Sequence, residues 1–221
     1  MFIGHYAVAL AAKKAAPNSS LGTLFIGAQL IDLLWPLFLL AGWEHVRLDP
    51  GNTVVTPLDF YDYPISHSLL GTLIWGLLFA LLYFAFRKYK RGAIVLGLCV
   101  ASHWFLDFLT HRPDLLLWFG GKTPVGLGLW NSLPGTLVVE LGLFAVGLAI
   151  YVRSTKSKDR IGTIAFWSLI GLLLVIYFSN LFGPPPPEPH MIAIAANASW
   201  LFVFWAYWAD KHRTPTGKSA G

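Results

Sequence analysis

Charge is what this 221-residue sequence has least of. Only 12% of its residues are charged, about half the roughly 25% of soluble domains. A soluble fold of this size would lack the polar side chains to coat its surface. There is one cysteine, Cys99, inside an apolar run, which excludes an intrachain disulfide. No internal repeat is evident, and no G-x-S-x-G element surrounds Ser66 or Ser102, which disfavours a serine hydrolase. What the chain has in excess is apolar: 56% by the AVILMFWYC count, with ten tryptophans. Disordered and collagenous classes are excluded, and an integral membrane protein is expected.

Six apolar stretches, 21–42, 65–86, 92–112, 133–152, 161–182 and 190–208, are long enough to cross roughly 30 Å of hydrocarbon, which takes about 20 helical residues. Their continuity points to helices, since barrel strands alternate over about ten residues. Trp43, Trp118, Trp130 and Trp208 near span ends suit an interfacial belt. Alternation of six spans puts thirteen of the sixteen basic residues on one side, in clusters at Lys13–Lys14, 87–91, 153–160 and 211–218. Arg47, Arg112 and Lys122 fall on the other side with Glu44, Asp49, Asp59, Asp62, Asp114 and Glu188. The positive-inside rule then makes the N- and C-termini cytoplasmic, and the basic clusters read as topology determinants rather than a nucleic-acid surface.

Residues 1–12 are apolar but too short to span, and their charges follow the apolar stretch, unlike a signal peptide. They are expected to form a short helix, either half-inserted into the bundle or lying amphipathically at its surface. The fold class is therefore all-α: a polytopic bundle of six spans plus that helix, with one membrane-embedded domain over 1–210 and a polar, disordered cytoplasmic tail over 211–221. The loops 43–64 and 113–132 are candidate lids, and Pro184 to Pro187 a polyproline spacer.

Ionisable groups inside a membrane are costly and invite a functional account. Asp32 sits mid-span, His67 near the start of the next span, His103, Asp107 and His111 on the third, Glu140 on the fourth, and His5 in the first helix. His103 and Asp107, and Asp107 and His111, are four residues apart and share a helix face. A His and a carboxylate so spaced can share one metal ion, or form a structural ion pair. At about 1.5 Å per residue, His67, Asp107, Glu140, His103 and Asp32 all fall within roughly 15 Å of the outer membrane surface. Such a set suits one or two zinc-like ions that neutralise buried acids. The expected ligands are Asp32, His67, His103 and Asp107, then His5, then His111. Glu140 or Asp62 would act as general base. His45, His190 and His212 read as solvated or interfacial, and Asn197 and Gln29 as interhelical hydrogen-bonders.

These residues resemble a family: the bacterial inner-membrane, LexA-regulated proteins described as membrane-bound metal-dependent hydrolases. The likeness lies in Gly4-His5, Asp32 in a Leu-Ile-Asp segment followed by Pro36, His67-Ser68-Leu69, and Ser102-His103-Trp-Phe-Leu-Asp107-Phe-Leu-Thr110. It extends to about residue 120. Leu33, Leu34 and Trp35 stand where the family often has a second acid and a His, and Asp62 stands where its His-Arg-Gly-x-Thr-His element begins. The resemblance implies a divalent metal such as zinc and, by likeness to zinc-dependent phospholipase C enzymes, phosphoester hydrolysis. The partner expected is a lipid or lipid-linked substrate entering from the outer half of the membrane. A transporter using the His/Asp set as a proton or ion relay, and a scaffold in which the set is structural glue, are the alternatives.

Overall fold

The computed structural model describes residues 1–184 and 188–216. The chain is mostly helical, and six of its helical segments are long and apolar enough to cross a membrane. The element order is α1 (Ile3–Ala15), α2 (Leu21–Leu40), β1 (His45–Leu48), β2 (Leu58–Asp62), α3 (Pro64–His67), α4 (Leu69–Arg87), α5 (Lys90–Thr110), α6 (Leu133–Ser154), β3 (Thr155–Ser157), α7 (Arg160–Phe182), α8 (Pro189–Asn197), α9 (Ser199–Lys211) and β4 (Arg213–Pro215). From Pro185 the expected polyproline spacer lies outside the described residues.

Local chemistry sets the starts of the long helices. Ser20, Ser68 and Ser132 each accept a backbone N–H three residues on, at 3.2, 3.0 and 3.2 Å, as N-cap serines do. Asp159 caps α7 through the N–H of Gly162 at 2.8 Å. The Ser68 cap changes one expected span: the helix begins at Leu69, and His67 lies before it on the one-turn helix α3. The last expected span is divided at Ala198 into α8 and α9. Pro36 sits inside α2 and has no N–H for the carbonyl of Asp32, so the helical ladder is interrupted beside that acid.

The first helix is buried inside the bundle, with Ile3, Ala9 and Leu10 inaccessible. Helices in lipid associate by close packing and polar contacts rather than by a hydrophobic drive, and α1 shows both. A Cβ on Gly147 of α6 would lie 2.3 Å from the Ala7 carbonyl oxygen, so only glycine lets the two backbones approach. The main core surrounds α1 with Leu24, Phe25, Leu96, Phe144, Phe166, Leu173 and Phe202. A second cluster, Trp35, Val46, Phe60, Tyr63, Trp104, Leu115 and Ile192, packs under the loops at the opposite end from the basic residues.

Two small antiparallel sheets qualify the all-helical expectation. β1 pairs with β2, placing His45 opposite Asp62 and Arg47 opposite Asp59. Asp59 is buried between Arg47 and Arg112, which ties loop 43–64 to the segment just after α5. At the basic end β3 pairs with β4. A disordered tail from Lys211 is thereby overturned over residues 211–216: α9 runs to Lys211, and Arg213 is buried, bonding Thr155 Oγ1 at 3.0 Å and Ser157 Oγ at 2.7 Å. A guanidinium with that many acceptors orders a polar segment that hydropathy alone leaves loose.

Candidate metal centre

Five groups converge on one carboxylate. Asp107, on α5 and 1% exposed, presents its two oxygens to two different sets of groups. Oδ1 lies 2.5 Å from the Met1 amino group, 3.1 Å from His5 Nε2 and 3.9 Å from His111 Nε2. Oδ2 lies 3.1 Å from His103 Nε2 and 4.0 Å from His67 Nε2. On that second side Asp32 Oδ1 faces the same two rings, 3.4 Å from His67 and 3.5 Å from His103. Ligand atoms of His5, His103 and Asp107 fall within 4.8 Å of one another, as do those of Asp32, His67 and His103. Four of the seven histidines thus ring one aspartate, and the i,i+4 spacing on α5 puts two of them there.

The far nitrogens of these rings decide where their electron pairs point. His103 Nδ1 lies 2.9 Å from the Ala28 carbonyl oxygen, which can only accept, so Nδ1 carries the hydrogen. For His67 the partner is Ser66 Oγ at 2.6 Å. Ser66 gives its own hydrogen to Glu44 Oε2 at 2.6 Å, and its backbone N–H donates to Glu44 Oε1 at 2.7 Å. His67 Nδ1 must therefore donate to Ser66. In both rings Nε2 is left with its lone pair turned toward Asp32 and Asp107. His103 Nε2 has no hydrogen-bond partner of its own. Lone pairs facing carboxylates repel unless a cation lies between them, either a proton on each ring or a metal ion shared by all. An outer acceptor fixing the far nitrogen is also how metal-binding histidines are oriented.

His5 and His103 stack face to face, with ring centroids 3.6 Å apart and planes 1° from parallel. His111 is held by Asp114 Oδ1, 3.0 Å from its Nδ1, and Tyr63 donates to the same oxygen at 2.7 Å. Burial, with the Asp114 charge beside it, pushes the Tyr63 phenol well above its usual value and keeps it a donor. Asp32 is the most open member: its side chain is 34% exposed, against 5% or less for the His67, His103 and Asp107 side chains. It stands where a small molecule or water would meet the cluster.

All six expected ligands are gathered here; of the two expected bases, Glu140 lies beside the Met1 end of the cluster and Asp62 lies away from it. Glu140 is buried, but its Oε2 accepts the Phe2 and Gly4 N–H groups at 3.0 and 3.4 Å, capping the start of α1. No hydrogen bond or ion pair joins it to the histidines among the described residues. Asp62 closes the β1–β2 hairpin at the surface, bonded to His45 at 2.9 Å with both side chains about half exposed. His190 and His212 pair with Glu188 and Asp159 at exposed positions. Glu44, Asp114 and the Ala28 carbonyl escape a reading by sequence. Glu44 looks like one more acid in a polar loop, and only the fold returns it beneath Ser66. No family model, curated protein or solved structure matches this chain.

Proposed function

We propose that this chain is a membrane-embedded, metal-dependent hydrolase acting on an amphiphilic, phosphoester-type substrate. One observation carries the reading: two histidines whose far nitrogens are tied to acceptors turn their Nε2 atoms onto two buried or half-buried carboxylates, an arrangement that calls for cations between them, which a shared metal ion would supply. The donor set of imidazole nitrogens and carboxylate oxygens is the one zinc and similar ions take. Asp32, His67, His103 and Asp107 Oδ2 would hold one ion, and His5, His111 and Asp107 Oδ1 border a second position. A bound divalent ion there lowers the pKa of coordinated water toward neutrality and supplies hydroxide.

The chain's own residues do the rest. Ala28, and Glu44 through Ser66, hold two rings in the ligating tautomer. Asp32, as the open member, receives the reacting molecule and can accept a proton within hydrogen-bond reach. The packed aromatic layer of Trp35, Phe60, Tyr63 and Trp104 screens the cluster from bulk water. The resemblance to the metal-dependent hydrolase family supports this reading. The one-sided basic residues support both termini being cytoplasmic, with α1 reaching inward as a half-span, and the resemblance points to a bacterial inner membrane. A lipid-linked substrate would then enter from the outer half of the membrane.

The second reading is a transporter that uses the same buried His and Asp groups as an ion relay. Metal content and phosphoester cleavage together separate the readings. Purified wild type is expected to carry near-stoichiometric zinc or another transition metal by mass spectrometry, lost in monodisperse His103→Ala and Asp107→Ala. The wild type is then expected to cleave a phospholipid phosphoester. A folded wild type that takes no metal even after reloading would overturn the hydrolase.

A further inference from the structure

The opposite end of the bundle carries a second feature, independent of the metal centre. A cleft of about 780 Å³ opens between the start of α2, the end of α4 and the end of α9. Phe79, Leu82 and Phe86 of α4 form an apolar wall, and Leu82 and Phe86 are exposed. Its head is lined by Lys13, Arg87 and Arg213 against a single carboxylate, Asp210. We infer that this cleft binds an anionic glycerophospholipid, with the phosphate headgroup at Arg87 and Lys13 in the field of Arg213 and an acyl chain along the α4 wall.

The charges do not balance within the protein. Lys13 is buried and takes the one acid, bonding Asp210 at 2.9 Å and the Ser19 carbonyl at 2.8 Å. Arg213 is 7% exposed, yet its donors go to neutral acceptors on Thr155, Ser157 and Gly162. It sits over the rings of Phe166 and Tyr151, at 4.6 and 5.3 Å, and no carboxylate pairs with it among the described residues. All five of its N–H groups are thereby taken, so it adds positive field to the head of the cleft without offering a free donor. Arg87 at the mouth is exposed, with no hydrogen bond or ion pair among the described residues. The floor adds hydroxyls already arranged: Tyr207 contacts Thr23 at 2.8 Å and Tyr83 contacts Ser19 at 2.9 Å.

A soluble anion would satisfy the head but leave the apolar wall unused. A neutral lipid would satisfy the wall but not the surplus charge. An anionic lipid does both, and basic residues at the end of membrane helices attract such headgroups.

Native mass spectrometry of the delipidated full chain in detergent tests the assignment. Phosphatidylglycerol and phosphatidylcholine with identical chains are titrated, with inorganic phosphate as competitor. One phosphatidylglycerol is expected to be retained at a concentration at least tenfold below that needed for phosphatidylcholine. Arg87→Gln, at an exposed position, is expected to reduce that preference several-fold, while Lys122→Gln at the far end leaves it intact. Arg213→Gln, where it folds, should reduce it further. Equal retention of the two lipids, a preference unchanged by Arg87→Gln, or displacement of the lipid by an equal concentration of inorganic phosphate would each overturn the proposal. Metal content is expected to be the same in wild type and Arg87→Gln.

Discussion

The two ends of the bundle are built from similar parts and close their polar groups differently. Each has a two-stranded sheet, acids and at least one histidine. At the basic end the contacts resolve mostly one to one: Lys13 with Asp210, His212 with Asp159, Lys158 with the Lys211 carbonyl. At the other end one aspartate faces four histidines and an amino group, and His103 Nε2 and His5 Nδ1 have no hydrogen-bond partner. A pairwise contact is complete and lends stability. A many-to-one cluster with unfilled nitrogens is one that a ligand would complete, which is the ground for proposing a site there.

The sharpest way to break that comparison is to neutralise one acid at each end. Asp107→Asn is expected to lower metal affinity at least 100-fold, whereas Asp210→Asn is expected to leave metal binding unchanged. Asp210→Asn should instead cost about 3 kcal/mol of stability, because it strands Lys13 as a buried charge. Mass spectrometry of bound metal beside thermal melting of both variants checks this, and equal metal loss in the two would dissolve the distinction.

A backbone lesion comes next. Gly147→Leu puts a side chain where the Ala7 carbonyl lies. It is expected to cost about 1–3 kcal/mol, as overpacking does, and to lower metal occupancy as well, since α1 carries His5. Unchanged melting would show that α1 does not need its close seat on α6.

Smaller still is the effect of removing an outer contact. Ser66→Ala takes away the acceptor that fixes His67 and leaves Glu44 short of one donor. Metal affinity is expected to fall about 10–100-fold, the usual range for such partners. Isothermal titration with zinc measures it. An affinity within twofold of wild type would remove Ser66 and Glu44 from the site.

At the basic end the smallest effect is one of pH. The His212 hydrogen bond, with the Gly162 N–H beside it, holds the exposed Asp159 carboxyl below its usual value. Its contribution is therefore present above the ordinary carboxylate range and is lost as pH falls through the lowered value. Asp159→Asn is expected to remove a small acid-side loss of melting temperature and to leave metal binding untouched. An acid-side melting profile identical to wild type would show that the contact contributes nothing.

Residue order settled a good deal of this protein. Runs of 20 or so apolar residues can only be long helices, because every backbone polar group inside hydrocarbon must be bonded within its own segment. The i,i+4 spacing of His103, Asp107 and His111 follows from helical pitch, so the central strip of the site was legible. The N-terminal His5 was legible as a candidate but not its seat, which depends on the Gly147–Ala7 approach between residues far apart in the chain. Glu140 and Asp62 were both legible as acids, yet their roles were not. Glu140 spends its charge on the N–H groups of α1, and Asp62 turns to solvent at the end of a hairpin. Glu44 and Asp114 gained burial only when two loops folded over the helix ends. Local spacing fixes which groups share a helix face. Which lone pairs meet, and which charges remain unpaired, is decided by long-range packing, because both depend on partners that no short stretch of sequence contains.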